Sequence, residues 1–427
     1  MASPVPAPTP PERLLYKTIT LTWLFYGFGA LYVIGPVLAW SLAGFVALSL
    51  FLTPLMRENL KALPPSPTVW IWMIFMFGML IVLWVGHFDN ALGTGKTIKS
   101  SIGWAKGWAL FALFILIGAC LNIRPQMIIR AQCVLGLQTL LLLPLFILAP
   151  KVGLPEKLFV SPIRAVGGPG PEYFSVYLYT VDPSNGASRW QFYTPWSPFA
   201  GLVGVIVTLS ALEERNKFWR RCGVLAGLAI VVMTKSRMSL MGVVICGSLP
   251  RLLPLVLKTW AWFAMTALAS AMVVFGGTVM STLSDAVYAF RAMRADSTRV
   301  RDALQSIASE RWWTEAYWFG HGIVEPGAHV TEYMLIGTHH TWYGLLFVKG
   351  TVGAVMLGVP MLWTLFVLSK QTILTKEARL PLGLLLALLL FSFGENMEVQ
   401  LYILWPALVL IGASVSEARG RQSKCRI

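Results

Sequence analysis

Long apolar runs, separated by short polar or glycine-proline punctuation, fill most of this chain. "TVWIWMIFMFGMLIVLWVG" (68–86) and "LLLALLLFSF" (384–393) set the pattern. Each run meets or approaches the ~20 residues a helix needs to cross a bilayer. Dividing the chain at its polar breaks predicts about twelve spans, near 18–34, 36–54, 68–86, 102–121, 131–149, 198–212, 222–234, 238–250, 259–280, 341–368, 380–393 and 400–415. Hydropathy alone would merge two of these pairs. Gly35-Pro36 is read as the hairpin in the first pair, and "TKSR" (234–237) as the hairpin between the seventh and eighth spans.

Composition agrees: 56% of residues are hydrophobic and 12% charged, against about 25% charged in a soluble domain. The fold class is therefore all-α, a polytopic membrane protein. The expected organisation is a flexible cytoplasmic tail (1–17), a membrane domain (18–416) and a basic cytoplasmic tail (417–427). The N-terminal stretch carries no apolar core followed by a small-residue cleavage site, so it reads as retained. Lysine and arginine placement sets the orientation, because cytoplasmic loops collect positive charge. With the N-terminus inside, about 19 of the 34 basic residues fall on the cytoplasmic side. The short outer loops hold Lys96, Lys99, Lys235 and Arg237. The net charge of +15 then serves the anionic inner leaflet, and nucleic acid is not an expected partner.

Two outer loops are long, near 150–197 and 281–340. The second holds "STRVRDALQSIASERWWTEAYW", where Ser297 or Thr298 can cap a helix and Val300, Leu304 and Ile307 form an apolar stripe. That pattern predicts an amphipathic helix on or near the membrane surface. All five cysteines fall in spans or on the inner side, so no structural disulfide is expected. The five histidines, His87, His321, His329, His339 and His340, fall outside.

This placement suggests chemistry. An imidazole can take a proton from a hydroxyl nucleophile, and His339 and His340 stand together at the start of an apolar helix in "GTHHTWYGLLFVKGTVG". A histidine that merely solvates a helix end gives the same pattern. A zinc site would need His321, His329 and the 339/340 pair to converge with Glu325 or Glu332, and the spacings match no tight ligand motif. Arg189, Arg237, Arg299 and Arg301 lie on the outer face. Guanidinium groups grip phosphate bidentately, although Asp296, Asp302 or Glu310 could pair with them instead. Lys106 and Lys349 fall inside spans, where a charge usually faces a cavity or a partner. Glu395 and Glu398 sit three apart at an outer turn and are expected to pair with arginines. No P-loop, DxD or GxGxxG element is present, so neither a nucleotide donor nor a metal is expected.

Taken in order, "SRWQFYTPWSPFAG", "TKSRMSLMG", "STRVRDAL…FGHG" and "HHTWYGLLFVKGTVG" resemble the O-antigen ligase and polymerase superfamily over roughly residues 185–360. The resemblance implies a GT-C-like membrane glycosyltransferase of about twelve transmembrane helices with two periplasmic loops. It implies a metal-independent, cofactor-free transfer from an undecaprenyl-diphosphate-linked glycan donor to an acceptor hydroxyl at the periplasmic face of the bacterial inner membrane. By the same likeness His339 is the functional histidine, eleven positions before Gly350, and His340 stands where the family usually has Asn. Arg237 matches the arginine of the turn, Arg189 the one before the outer helix start and Arg299 the one opening the loop helix. His339 and Arg237 are thus the expected catalytic residues, and Arg189, Arg299, Arg301, His340 and Lys349 the expected substrate-binding ones. The expected acceptor is lipid A-core, which makes a ligase. A polymerase extending the lipid-linked glycan is the alternative, and a secondary transporter using Lys106, Lys349 and Arg237 is the alternative of another class.

Overall fold

The computed structural model describes residues 7–52, 62–182, 186–292, 295–331, 333–338 and 340–424. The chain is mostly helical. Among the described residues, seven helical segments are long and apolar enough to cross a membrane: Leu31–Phe51, Pro67–Asp89, Thr94–Cys120, Pro125–Leu148, Arg237–Leu257, Thr341–Leu374 and Glu398–Ser416. An eighth, Thr259–Val273 with Phe275–Thr282, is bent by 74°. The helices are α1 (Pro10–Thr20), α2 (Thr22–Gly27), α3 (Leu31–Phe51), α4 (Pro67–Asp89), α5 (Thr94–Lys106), α6 (Ala109–Cys120) and α7 (Pro125–Leu148). After a segment of short hairpins come α8 (Ser197–Leu212), α9 (Lys217–Met233), α10 (Arg237–Leu252), α11 (Thr259–Ala292), α12 (Ala295–Glu315), α13 (Thr341–Leu374), α14 (Arg379–Ser392) and α15 (Leu401–Lys424).

Glycine lets the central helices approach backbone to backbone, the usual solution where lipid gives apolar side chains no reason to associate. On α6, a Cβ at Gly118 would run into the Val409 carbonyl of α15, and one at Gly412 into the Ile115 carbonyl. Between α8 and α9, Gly227 lies against Thr208 and Gly204. At the start of the chain Thr9 and Glu12 form a reciprocal cap on α1. The same Glu12 carboxylate, 1% exposed, accepts from Arg124 at 2.7 Å and so pins α1 to the start of α7.

Among the described residues, the non-helical segments hold three antiparallel two-stranded ribbons. β1 (Lys157–Val160) pairs with β2 (Ser175–Tyr177), β3 (Thr180–Val181) with β4 (Ser188–Arg189), and β5 (Glu325–Pro326) with β6 (Leu335–Ile336).

Several boundaries differ from those the sequence predicts. Residues 10–17, expected in a flexible tail, belong to α1, whose Leu15 is fully buried. The first hairpin is not at Gly35-Pro36, because α3 begins at Leu31 and runs through both residues. Gly35 is held there by Tyr402 of α15, whose carbonyl would lie 2.6 Å from a Cβ. The chain turns instead at Gly29, whose positive φ of 65° suits glycine and whose missing Cβ makes room for Ser161. The expected outer loop from 281 begins inside α11, and α15 continues through 417–424 of the expected basic tail. The turn at 234–237 does separate α9 from α10.

The loop helix differs most. α12 is helical from Ala295, so Ser297 and Thr298 lie inside the helix and not at the start expected for them. Of its expected stripe, Val300 and Leu304 are buried, together with Ala308, against Ile336 of β6 and Phe347 of α13, and Ile307 packs half-buried beside them, so the stripe is not laid on lipid. Burial of a Val or Leu side chain from water stabilises by about 1.5–3 kcal/mol, so the stripe docks α12 onto α13.

Candidate functional site

α13 is broken. Gly350 has φ 65° and ψ −168°, a region essentially reserved for glycine, and it divides a short segment (341–349) from the long remainder. The segment 317–322 threads the break and takes up the backbone groups that it frees. His321 and Gly322 donate their N–H groups to the Phe347 and Val348 carbonyls at 2.8 and 2.9 Å, while Thr351 N–H donates to the Tyr317 carbonyl at 2.9 Å. Two glycines make the approach possible: Gly320 and Gly322 both have positive φ, and a Cβ on Gly320 would lie 2.5 Å from Lys349 N. "FGHG" and the glycine after Lys349 are therefore one device, which fixes the angle of the segment that begins at Thr341.

His340 caps that segment. Its Nδ1 accepts the backbone N–H groups of Trp342 and Tyr343 at 3.1 and 3.3 Å. Those bonds set the tautomer: Nδ1 has no proton, so Nε2 carries it and donates. Burial, with the Arg301 charge added to it, pushes the imidazole down to about 4. A ring held this way is a helix cap and a hydrogen-bond donor. It has no lone pair left to act as a base.

Beside it is Glu395, in the turn between α14 and α15. The backbone carbonyl of Glu395 accepts from Thr341 N and Oγ1, and its carboxylate accepts from Trp196 Nε1 at 2.7 Å and Gln400 Nε2 at 3.2 Å. Burial raises this carboxyl above the usual range, against the lowering influence of Arg301, the two hydrogen bonds and Arg189. Two of the expected arginines thus act on one acidic residue. Arg189 is itself held by Asp182 at 3.5 Å and donates to the Thr234 carbonyl at 3.4 Å. It therefore leans on the turn that Arg237 closes, and Met238, the next residue, packs on Gly394. Arg189, Arg301, His340 and Glu395 come from four separate elements and gather near one end of α13, and Arg189 rests on the turn at 234–237.

The remaining expected residues divide. His339, between β6 and the cap, lies outside the described residues, as does Glu332. Arg299 and Arg301 are two positions apart on α12, about 200° around the helix, so the two cannot face the same way. Arg301 is the one whose charge reaches His340 and Glu395. Lys349 is buried at the far end of the short segment, with Glu398 as its electrostatic partner, and the structure does not bring it to His340. His321 stacks on Phe347, and its ring nitrogens contact the Phe347 carbonyl and Glu315 at 3.0 and 2.9 Å. It braces α12 against α13. His87 likewise bridges Leu83 and Ser100. Among the described residues no group of three or more His, Cys, Asp or Glu converges as metal ligands.

Sequence reasoning missed Trp196, Asp182 and Thr234 as the groups that position Arg189 and Glu395. Only the tertiary contacts assign them that role. The His340 cap could have been suspected, since His340 stands where the resemblance expects Asn, a strong N-cap residue. No protein-family model matches the chain, and no curated protein matches it.

Proposed function

We propose that this protein is a membrane-embedded glycan ligase of the O-antigen ligase type, working at the periplasmic face of a bacterial inner membrane. The observation that carries the reading is the meeting of the Arg189 and Arg301 charges at Glu395, beside the helix end that follows His339, with Arg189 resting on the turn that Arg237 closes. The donor is an undecaprenyl-diphosphate-linked glycan and the acceptor a hydroxyl of lipid A-core. As that hydroxyl attacks the anomeric carbon, His339 takes its proton. The bond from that carbon to the diphosphate oxygen breaks, and the leaving diphosphate keeps the electron pair. The guanidinium groups offset the negative charge that develops there, and the His340 Nε2–H would donate to a phosphate oxygen.

In this reading the chain is GT-C-like. The seven long apolar segments, the bent α11, the shorter α8, α9 and α14, and α1–α2 together make up about twelve crossings, with both termini cytoplasmic. No nucleotide, cofactor or metal takes part. A polymerase would share all of this chemistry and differ in its acceptor.

The test is transfer from a purified lipid-diphosphate glycan to lipid A-core, in excess chelator, by wild type and His339→Ala. The expected result is chelator-resistant transfer by the wild type and a loss of about 10² to 10⁴ in the variant. Transfer that EDTA abolishes and Mg²⁺ or Zn²⁺ restores would overturn the arginine-only account.

A further inference from the structure

At the other end of the 341–349 segment lies a cleft of about 710 Å³, partly open to solvent. Its walls are α5, the loop 166–169, residues 322–324 and the Lys349–Glu398 pair. At 1.5 Å per residue, it is about 13 Å along the helix from His340.

α5 has no buried residue. Its Lys96, Lys99 and Lys106 recur at three- and seven-residue spacing, so they share one helix face, and all three line the cleft. Ile98 and Ile102, one turn apart, are 57% and 50% exposed. Such a helix suits the boundary between water and acyl chains. The basic groups have different tasks. Lys106 donates to the Val166 and Gly167 carbonyls at 3.3 and 3.2 Å and holds the loop. Lys349 is buried, with Glu398 as its electrostatic partner across the cleft lining. Lys96 and Lys99 are exposed, and among the described residues neither has a hydrogen-bond or ion-pair partner. Four ammonium groups against one carboxylate leave the cleft strongly cationic.

We propose that this cleft binds the phosphorylated headgroup of the acceptor glycolipid, with Lys96 and Lys99 as the phosphate ligands and Ile98 and Ile102 against the first acyl carbons. The identity of the lipid as the acceptor rests on the ligase reading above. Donor and acceptor phosphates would then lie at opposite ends of one rigid segment. The acceptor's sugar chain would span the distance to His339.

The experiment measures binding, not transfer. Full-length protein in detergent is titrated with bis-phosphorylated lipid A, with its dephosphorylated form, with phosphatidylglycerol and with inorganic phosphate, and separately with undecaprenyl diphosphate. The Lys96→Gln/Lys99→Gln double variant should bind bis-phosphorylated lipid A about 10-fold more weakly, as expected for losing two charge-assisted contacts. Its affinity for undecaprenyl diphosphate should be unchanged, and Lys96→Arg/Lys99→Arg should bind lipid A as the wild type does. Unchanged lipid A binding by the glutamine variant would overturn the proposal. So would equal affinity for the dephosphorylated lipid, for phosphatidylglycerol or for inorganic phosphate. An equal loss of undecaprenyl diphosphate binding would show a single shared site and overturn it as well. Failure of the ligase reading would show instead as absent transfer, with this lysine-dependent binding intact.

Discussion

His340 and His339 are neighbours of identical chemistry, and substitution can separate their roles. The Nδ1 of His340 satisfies two N–H groups at the start of α13. Replacing a capping residue with alanine costs about 0.5–2 kcal/mol, whereas asparagine is among the best caps. His340→Ala should therefore lower the thermal midpoint by about 1–2 °C, and His340→Asn should stay near wild type. If all of a 1 kcal/mol distortion reached the transition state, the rate would fall only about 5-fold. Loss of a general base costs about 10² to 10⁴, and this larger loss belongs to His339→Ala. The assay pairs thermal unfolding of the purified variants with single-turnover transfer at matched protein concentration. A folded His340→Asn protein without activity, beside an active His339→Ala, would refute both the cap and the assignment of the base.

The same cap makes stability depend on pH. The folded imidazole is depressed to about 4 from an unfolded value near 6.5, so the unfolded chain binds the extra proton between those values. Stability should therefore be highest above pH 6.5, fall by about 3 kcal/mol as pH drops toward 4, and then level off. Thermal midpoints across that range should fall less steeply in His340→Asn, and identical pH profiles would refute the linkage. At the helix break, Gly350→Ala forces a Cβ to within 2.5 Å of Phe319 N in a backbone region that costs about 1–3 kcal/mol. Loss of monodisperse protein on gel filtration is expected, and wild-type yield and midpoint would contradict it. Arg237→Lys keeps the charge but loses the planar fork, so transfer and lipid-diphosphate affinity should fall nearly as far as in Arg237→Ala. A lysine variant above about half the parent rate would make Arg237 a structural anchor instead.

The apolar runs determined by themselves that this chain is a helical protein with membrane-length segments, because covering ~20 residues of backbone in lipid leaves the helix as the simple solution. "TKSR" was likewise legible as a turn, since its polar residues interrupt two apolar runs. Other boundaries depended on partners distant in sequence. Pro36 stays inside α3 because Tyr402 packs on Gly35, and the chain turns at Gly29 because Ser161 occupies the space a side chain would need. The stripe on α12 was readable as a period, but its partner was not: Phe347 and Ile336 bury it, where periodicity alone is equally satisfied by lipid. Residue type marked the arginines and histidines as candidates. Only the tertiary structure divided them, giving Arg301 the face toward Glu395, removing Lys349 to another cleft and committing the His340 lone pair to two backbone amides. Each of those outcomes depends on which groups meet across elements far apart in the chain, and local spacing carries no record of that.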